Sequence, residues 1–354
     1  MKRLVGKWLL MPLSGLYSLL IGIRNWLFDR HLLKSIRPSV YSISVGNLTV
    51  GGTGKTPMIE FLIKRYAFLV TSQPGETATL SRGYGRRTRG FRIATDTDTA
   101  DTLGDEPLQL YRKFSPQVRV CVGERRVDAI QSLLTLHPET KRVLLDDAFQ
   151  HRAVKPHLSI LLMDYNRPFY DDYPFPAGRL REPRRGARRA DGIVVTKCPT
   201  DLWATEQQRI ANRIRKYTQP DTPIFFAGLA YSAPMAFATH QPTPDLRDVI
   251  LISGLANADP LEQYVRRTFN LTKHYRFADH YVYTRTVLDE ILAALPPATA
   301  VLTTEKDWVK LDALLSPEER AKLPLFYLPV AVQFLSGQES GFAQFLDANA
   351  FKNP

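Results

Sequence analysis

The sequence predicts an α/β fold in which helices cover both faces of a largely parallel sheet, with a second and smaller α/β domain after it. From residue 41 onward, short β-rich runs alternate with stretches of helical periodicity, which is typical of a parallel sheet with crossover helices. Several of these runs are apolar throughout instead of alternating, as strands buried on both faces are. The sheet is therefore expected to lie at the centre of the molecule.

The chain opens with a basic and then apolar segment over residues 1–30. Three basic residues among the first seven precede a nearly uncharged run over residues 8–23, which Pro12 and Gly15 interrupt. The run is shorter than the ~20 apolar residues that a spanning helix needs. We expect a membrane-associated helix that lies in the interface or inserts obliquely, with its basic ends against anionic headgroups. A core helix or a signal peptide is the alternative.

The first domain is expected over residues 31–220, with helical stretches at 57–70 and 125–136. Polar, turn-rich stretches over residues 95–105 and 169–190 are candidate functional loops. The strands predicted in this domain are 41–45, 77–80, 118–122, 142–145, 158–163 and 192–196.

A smaller α/β domain is expected over residues 221–354. Five prolines between residues 220 and 244 punctuate the junction and predict a hinge or linker there. The predicted elements of this domain are strands at 224–227, 249–253, 300–303 and 326–329 and helices at 260–269, 284–294 and 341–348.

Composition and charge narrow the class of protein. With 354 residues, of which 44% are hydrophobic and 23% charged, the chain has the usual composition of a folded protein of two domains. The formal net charge of +12 favours nucleic acid, an anionic membrane surface or a phosphorylated ligand as partner. No zinc finger or RNA-binding aromatic signature accompanies this charge, so nucleic acid is not expected. Cys121 and Cys198 fit neither a disulfide framework nor a zinc-ligand spacing.

The strongest motif runs from Gly46 to Pro57, GNLTVGGTGKTP, between a predicted strand and a predicted helix. Its glycines let backbone N–H groups converge on phosphate oxygens, and the helix N-terminus adds its positive dipole. Lys55 would neutralise nucleotide phosphate charge, and the Thr56 hydroxyl would bind Mg²⁺. Thr49 stands where the strict motif has glycine. The motif predicts a P-loop NTPase-type sheet that binds ATP and Mg²⁺, and the nucleotide-binding residues are Gly51, Gly52, Thr53, Gly54, Lys55 and Thr56.

Two adjacent carboxylates end the predicted strand RVLLDD. Asp146 and Asp147 lie at the carboxyl end of a parallel strand, where α/β sheets bind their ligands. Because neighbouring residues on a strand point to opposite faces, one would bind Mg²⁺ while the other orients it or helps to activate the substrate hydroxyl. The order of these roles stays open, so the predicted metal ligands are Thr56, Asp146 and Asp147. A solvated strand end is the alternative.

Candidates for a general base come from two distant parts of the chain. Asp105, in the segment GDEP, follows a polar loop and has no nearby basic residue to neutralise it. An aspartate alone is a weak base for an alcohol, so an imidazole that shares or accepts the proton is plausible, and His280 in the segment RFADHY offers one. An N-cap or surface role for Asp105 and a structural role for His280 are the alternatives.

Two arginine-rich segments span residues 81–87 and 178–189. Arginine forks match phosphate geometry, so these groups could stabilise the transferring phosphoryl group, hold a phosphate on the substrate or lie on lipid headgroups. Glu182 stands inside the second segment and would orient an arginine or contact a sugar hydroxyl. A solvated basic face is the alternative.

Taken together, these segments resemble the tetraacyldisaccharide 4′-kinase family, the lipid A 4′-kinases of Gram-negative bacteria. The resemblance covers most of the chain, and the motifs occur in the family's order. Ala148 replaces the glycine of the usual DDGFQH, which predicts a stiffer turn with its carboxylates intact. After the basic apolar N-terminus, the motifs are GGTGKTP at 51–57, SRGYGR at 81–86, GDEP at 104–107, an arginine after VGE at 122–124, DDAFQH at 146–151, PAGRLREP at 176–183, FADHY at 277–281 and TTEKDWVK at 303–310.

The resemblance implies transfer of the ATP γ-phosphoryl group to the 4′-hydroxyl of a tetraacylated glucosamine disaccharide 1-phosphate, a lipid A precursor. It also implies a peripheral or monotopic protein at the cytoplasmic face of the bacterial inner membrane, without an obligate protein partner. The family's two domains, joined by a β-hinge, agree with the organisation above.

The family's site residues carry over by position. Its catalytic dyad falls on Asp105 and His280, which domain closure would bring together, and Lys55 and Thr56 keep their phosphate and magnesium roles. Arg126 lies directly beside Arg125, the arginine on which the family's position falls. The other residues implied at the reacting site are Asp146, Asp147, Arg125, Arg181 and Glu182.

A P-loop ATPase or GTPase switch, or a metallochaperone that acts on a protein partner, is the alternative function. The segment Thr196-Lys197-Cys198-Pro199 after the late strand lacks the aspartate that would read a guanine base. The apolar N-terminus favours a lipid-borne acceptor over a protein partner.

Overall fold

The computed structural model describes residues 2–69, 73–243 and 246–350, with the backbone alone for residues 2–9 and 69. The basic side chains expected to face headgroups within the first seven residues therefore lie outside the described part. The strands are β1 (Tyr41–Asn47), β2 (Thr77–Ser81), β3 (Arg92–Ile93), β4 (Val118–Val122), β5 (Arg142–Asp146), β6 (Leu158–Asp164), β7 (Gly192–Thr196), β8 (Ile224–Tyr231), β9 (Met235–Ala236), β10 (Asp248–Ser253), β11 (Asn270–Arg276), β12 (Ala300–Thr304), β13 (Leu325–Leu328) and β14 (Val330–Phe334).

Helices precede the first strand, connect many of the others and end the described chain. A π-helical turn, Lys64–Leu69, continues the second helix, and 3₁₀ turns lie at Phe169–Asp171 and Arg184–Arg189. The α-helices are α1 (Lys2–Asp29), α2 (Lys55–Ile63), α3 (Ala100–Leu103), α4 (Asp105–Phe114), α5 (Arg126–Leu136), α6 (Ala204–Arg215), α7 (Asp259–Thr268), α8 (Arg285–Ala293), α9 (Glu305–Asp312), α10 (Pro317–Lys322) and α11 (Gln338–Ala350).

A nine-stranded sheet forms the larger part of the molecule, in the order β14-β8-β7-β6-β1-β5-β2-β4-β3. Its strands are parallel except for β3 and β14 at the edges, which pair antiparallel. Interior residues such as Ile43, Leu144 and Val194 have no exposed surface. Burial of both faces is why these strands have apolar sequences. The predicted α/β fold with a central parallel sheet is confirmed.

The chain also forms a separate, five-stranded sheet in the order β11-β10-β12-β13-β9. β8 and β14 nevertheless belong to the large sheet, because β8 pairs with β7 and β14 pairs with β8. The chain thus passes from the large sheet to the small one after β8 and returns after β13. The large sheet draws strands from both sides of residue 220, and the domain boundary expected there stays a prediction.

The small sheet includes a strand that the sequence pattern did not predict. β11 lies at the edge of the sheet, and most of its residues are half-buried or exposed. An edge strand has little need for apolar residues, so its sequence NLTKHYR carries no clear strand pattern. The polar stretch over residues 95–105 likewise contains a short helix, α3, which begins at a capping box on Thr99.

α1 is a 28-residue helix that is bound to the large domain along one face. Tyr17 donates a 2.8 Å hydrogen bond to the carbonyl of Arg181, and Asn25 donates a 3.1 Å bond to Glu182. Among the described residues, no helix is long and apolar enough to cross a bilayer. The opposite face carries an apolar stripe, which is formed by the exposed side chains Leu13, Leu16, Leu19, Leu20, Ile23 and Trp26.

Candidate active site

The phosphate loop connects β1 to α2, as its motif predicts. Gly51 and Gly54 have φ angles of 115° and 82°, in the left-handed region that favours glycine. The hydroxyl of Thr53 accepts a 2.8 Å bond from Asn47, and its carbonyl accepts a 2.9 Å bond from Thr196. Gly52 lies exposed at the crest of the loop. These bonds secure the base of the loop and leave its crest open to a phosphate.

The departure from the strict motif at Thr49 has a structural explanation. Thr49 forms an antiparallel bridge with Leu180, and the N–H of Val50 donates a 2.8 Å bond to the carbonyl of Arg179. This part of the loop is therefore extended backbone paired with the arginine-rich segment. An extended residue has no need of glycine, so threonine fits there.

Lys55, Asp147 and Arg181 form an ion cluster beside the loop. The Lys55 ammonium lies 3.8 Å from Asp147 Oδ1, and Arg181 donates bonds of 2.9 and 2.8 Å to the two Asp147 oxygens. Burial by itself would raise the pKa of Asp147, but Lys55 and Arg181 together hold it below its ordinary value. Asp147 thus keeps its charge and pairs with Lys55 beside the loop.

Asp146, the last residue of β5, is 3% exposed, and its Oδ1 atom has no hydrogen-bond partner among the described residues. Burial raises the pKa of Asp146 to about 7, with the charge of Glu106 as the next cause. A buried carboxylate oxygen without a donor fits a divalent cation, which prefers oxygen ligands. The hydroxyl of Thr56, in the first turn of α2, supplies a second oxygen of the kind that such sites use.

Asp105 and His280 are brought together, as the closure argument expects. His280 Nδ1 lies 3.1 Å from Asp105 Oδ2, and the Lys310 ammonium lies 3.5 Å from the same oxygen. Burial would raise the pKa of Asp105, but the bond to His280 and the charge of Lys310 lower it. Gly104, with φ of 94°, turns the chain so that Asp105 begins α4. Asp105 is therefore a carboxylate that orients the imidazole.

A second carboxylate, Glu106, stands beside the dyad in the first turn of α4. Glu106 follows Asp105 in α4, and its charge is the second cause of the raised pKa of Asp146. The first turn of α4 therefore carries both the carboxylate that contacts His280 and a carboxylate whose charge acts on Asp146.

The two arginines at the start of α5 face opposite ways. Arg125 has a side chain that is 84% exposed, and it pairs with Asp128 at 2.8 Å. Arg126 is 3% exposed and contacts the carbonyl of Gly123, while its Nε atom has no partner within the described residues. Burial lowers the pKa of Arg126 to about 10, against the attraction of Asp146. The role assigned to Arg125 stays a prediction, and Arg126 is the arginine of this pair that lies inside.

Glu182 is buried and accepts hydrogen bonds from three segments of the chain. It is 1% exposed, and it accepts bonds of 2.9 Å from Gln150, 2.8 Å from Arg189 and 3.1 Å from Asn25. These three donors come from the DDAFQH turn, the arginine-rich segment and α1. Glu182 therefore joins three segments of the site, while Arg181 beside it points to Asp147.

Ala148 is accommodated without strain in the turn after β5. Asp147, at φ of 47°, is the residue that takes the left-handed conformation there. Ala148 is 7% exposed and packs in a hydrophobic cluster with Leu145 and Val154. The carboxylates are intact, as expected.

Sequence reasoning missed the lysines around the dyad and the phosphate loop. Lys306 and Lys310 both contact dyad residues, and their spacing of four residues within TTEKDWVK is a signal that could have placed them on one helical face. Lys197 contacts the carbonyl of Gly52 and pairs with Asp164 at 2.8 Å. Its place directly after β7, at the carboxyl edge of the sheet, was the available signal.

Comparison with known proteins identifies the family. The family model described as tetraacyldisaccharide-1-P 4′-kinase matches residues 6–350. The tetraacyldisaccharide 4′-kinase of Cytophaga hutchinsonii is 38% identical over 336 residues, which cover 94% of this chain and 93% of the relative. The enzyme of the same name from Bacteroides thetaiotaomicron is 37% identical over 358 residues, 96% of this chain and 92% of the relative.

A solved structure agrees with this result. LpxK from Aquifex aeolicus, in complex with ATP, superposes with a TM-score of 0.75 and is 27% identical, covering 99% of each chain. The match extends over both sheets and α1, so it is not confined to the phosphate loop that many nucleotide-binding proteins share. The chain belongs to the tetraacyldisaccharide-1-P 4′-kinase family.

Proposed function

We propose that this chain transfers the γ-phosphoryl group of ATP to the 4′-hydroxyl of a tetraacylated glucosamine disaccharide 1-phosphate, in lipid A biosynthesis. The observation that carries the proposal is the 3.1 Å pairing of His280 with Asp105, which directly precedes Glu106, a residue whose charge acts on Asp146. Transfer to an alcohol is helped by a positioned base for the hydroxyl proton, and this dyad supplies one, whereas an ATPase switch has no acceptor alcohol. Family membership favours the kinase over the switch and over the metallochaperone.

The phosphate loop would bind the nucleotide through its own backbone. N–H groups between Gly51 and Lys55 would bind the phosphate oxygens, and the positive end of α2 would add to their attraction. Lys55 is held 3.8 Å from Asp147, close enough to turn to the phosphates when ATP arrives. Arg181 stays bound to both oxygens of Asp147, so the carboxylate keeps a partner when the lysine leaves. The ion cluster thus prepares Lys55 for ATP.

The donor set also suits a magnesium ion. Asp146 and Thr56 would hold it, with Asp147 as the neighbouring acid. When bound, Mg²⁺ would neutralise phosphate charge that develops during transfer. The raised pKa of Asp146 reflects the same need, because a buried carboxylate without a cation is costly.

The dyad would take the proton of the 4′-hydroxyl. Asp105 engages Nδ1 of His280, so Nε2 is the nitrogen that would receive the hydroxyl proton. The hydroxyl proton goes to Nε2, the sugar oxygen attacks the γ-phosphorus, and the bond to the bridging oxygen breaks with its electron pair leaving on ADP. Asp105 stabilises the imidazolium that results.

The apolar stripe of α1 would rest on the cytoplasmic face of the inner membrane, as a peripheral or monotopic attachment to anionic lipid. Its exposed leucines lie on the face opposite Tyr17, which bonds to the carbonyl of Arg181. The helix therefore connects a lipid-facing surface to a backbone segment of the site. Acyl chains could remain in the bilayer while the sugar reaches the dyad. This arrangement requires neither a nucleic acid nor an obligate protein partner.

The test is transfer of labelled γ-phosphate from ATP to tetraacyldisaccharide 1-phosphate in detergent micelles. We expect labelled lipid from the wild type and none from Lys55→Ala. The disaccharide with a blocked 4′-hydroxyl is the matched control, and it should accept no label. ATP hydrolysis without any labelled lipid would overturn the proposal in favour of the switch.

A further inference from the structure

Lys306 contacts the nitrogen of His280 that the proposed chemistry needs. Its ammonium lies 3.2 Å from His280 Nε2 and 2.7 Å from Asp279 Oδ1. The other ring nitrogen, Nδ1, faces Asp105 at 3.1 Å. Both nitrogens of the imidazole are therefore engaged.

The hydrogen-bonding capacity of the neighbouring groups determines which nitrogen of His280 carries a proton. An ammonium group can only donate, so Nε2 must accept with its lone pair. A neutral imidazole with an accepting Nε2 carries its proton on Nδ1, which donates to Asp105. The lone pair that would receive a hydroxyl proton is thus covered by Lys306.

The cover is firmly held. Asp279 binds the ammonium from one side, and the backbone of Lys306 belongs to α9, whose first turn is fixed by Thr304 accepting a 3.0 Å bond from Asp307. The Lys306 side chain is 15% exposed. Two carboxylates, of Asp105 and Asp279, and two ammonium groups, of Lys306 and Lys310, surround the ring. These charges balance, so Lys306 with its partner Asp279 adds no net charge to the dyad.

Water would otherwise reach this nitrogen. The His280 side chain is 34% exposed, and its backbone is held in a turn with φ of 58° that presents the ring at the surface of the small domain. A kinase whose base is open to solvent activates water as readily as a sugar hydroxyl, and ATP is then hydrolysed without product. Selective transfer therefore requires a group on Nε2 that the lipid can displace and water cannot.

We propose that Lys306 is a specificity-determining residue that caps Nε2 of His280 and thereby suppresses ATP hydrolysis until the lipid acceptor binds. The inference rests on the proposed function. The disaccharide lipid has remote contacts whose binding energy can displace the cap, whereas water has none. Once displaced, Lys306 keeps its bond to Asp279, so its charge never lacks a partner.

Hydrolysis of ATP, the reaction that Lys306 would suppress, makes and breaks the same kinds of bond as transfer to the sugar. A water O–H proton goes to Nε2, the water oxygen bonds to the γ-phosphorus, and the bond to the bridging oxygen breaks with its electron pair on ADP. The products are inorganic phosphate and ADP. Removal of the cap opens this route without the need for any further reactant.

The experiment measures phosphate release from ATP in detergent micelles without lipid. We expect Lys306→Met to raise it about tenfold, a fraction of what a positioned base contributes. Lys306→Arg keeps a cationic donor and should stay near the wild type. His280→Ala combined with Lys306→Met should abolish the gain, since the added hydrolysis uses the uncovered imidazole. Lys322→Met, which removes an exposed lysine on α10, is the matched control and should change nothing.

Lipid labelling in the same micelles separates the two proposals. If the wild type labels no lipid, the proposed function fails and the cap fails with it. If the wild type labels lipid but Lys306→Met hydrolyses ATP at the wild-type rate or more slowly, only the cap is wrong. A gain that persists without His280 would also overturn the cap, because the hydrolysis would then use another base.

Discussion

His280 Nδ1 lies 3.1 Å from Asp105 Oδ2, although the two residues are 175 positions apart and stand next to different sheets. His280 follows β11 of the small sheet, and Asp105 begins α4 beside the large sheet. The contact therefore exists only while the two parts of the molecule are together.

Loss of the imidazole should affect turnover and spare nucleotide binding. We expect His280→Ala to lower kcat for lipid phosphorylation about 10²- to 10⁴-fold, the usual contribution of a positioned base. The Kd for ATP should stay within about twofold of the wild type, because the phosphate loop does not include this residue. Steady-state kinetics and calorimetry measure the two quantities. An equal loss in both would mean that His280 supports the nucleotide site instead.

Asp146→Asn should separate magnesium use from stability. Without metal at pH 8 we expect the variant to melt at a higher temperature, because burial and Glu106 raise the pKa of Asp146 to about 7 and its charge is then costly. The Mg²⁺ concentration for half-maximal activity should rise about tenfold, since an amide oxygen is a weaker ligand. Thermal melts with a chelator and magnesium titrations test this. A lower melting temperature would show that the carboxylate is stabilised by contacts within the protein.

Arg125 and Arg126 provide a matched comparison at adjacent positions. We expect Arg126→Ala to reduce kcat/KM about tenfold or more, because its guanidinium is buried and attracted by Asp146, and its Nε atom has no partner among the described residues. Arg125→Ala should cost about twofold at most, since its exposed partner is Asp128. Activity assays of both variants decide between them. A greater loss at Arg125 would restore the role that the motif order assigns to it.

The apolar stripe can be tested without removal of α1, which is bonded to the Arg181 and Glu182 segment. Leu16 and Leu20 are more than half exposed. We expect the double substitution to serine to weaken binding to anionic phospholipid vesicles about tenfold or more, because each leucine buried in lipid contributes about 1.5–3 kcal/mol. Leu136→Ser, at an equally exposed site on α5, should leave sedimentation unchanged. Equal sedimentation of all three proteins would assign lipid binding to another surface.

A buried ion triad away from the site predicts a pH effect on stability. Lys113 lies 2.5 Å from both Glu60 and Glu305, and burial raises the pKa of Glu60 to about 7, with Lys113 opposing and Glu305 adding to the rise. Lys64 also faces Glu60 electrostatically. A raised pKa means that the folded protein holds more protons than the unfolded one between the ordinary value of 4.5 and about 7.

The stability of the wild type should therefore fall as the pH rises through that window. Glu60→Gln removes the cost, so we expect it to stabilise the protein by about 1–3 kcal/mol at pH 8 and by less at pH 5. Denaturant unfolding at the two pH values gives the free energies. A variant that is less stable at pH 8 would show that the attraction of Lys113 for the charged carboxylate outweighs its burial.

The parts of the site that the sequence predicted are those built from contiguous residues. The phosphate loop, the carboxylates after β5 and most strands of the large sheet were all recognisable, because turn chemistry and burial pattern act over a few neighbouring residues. Edge strand β11 was not recognisable from the sequence, because its largely exposed residues have no apolar pattern.

The sequence by itself determined the α/β fold and the phosphate loop, and its resemblance to the family predicted Asp105 and His280 as the dyad. Only the tertiary structure decided that β8 and β14 join the large sheet, that Arg126 and not Arg125 lies inside, and that Lys306 covers His280 Nε2. The physical reason is that burial and side-chain contact depend on how distant segments pack. Local propensity cannot specify which of two adjacent arginines faces a site or which lysine reaches a histidine across a domain.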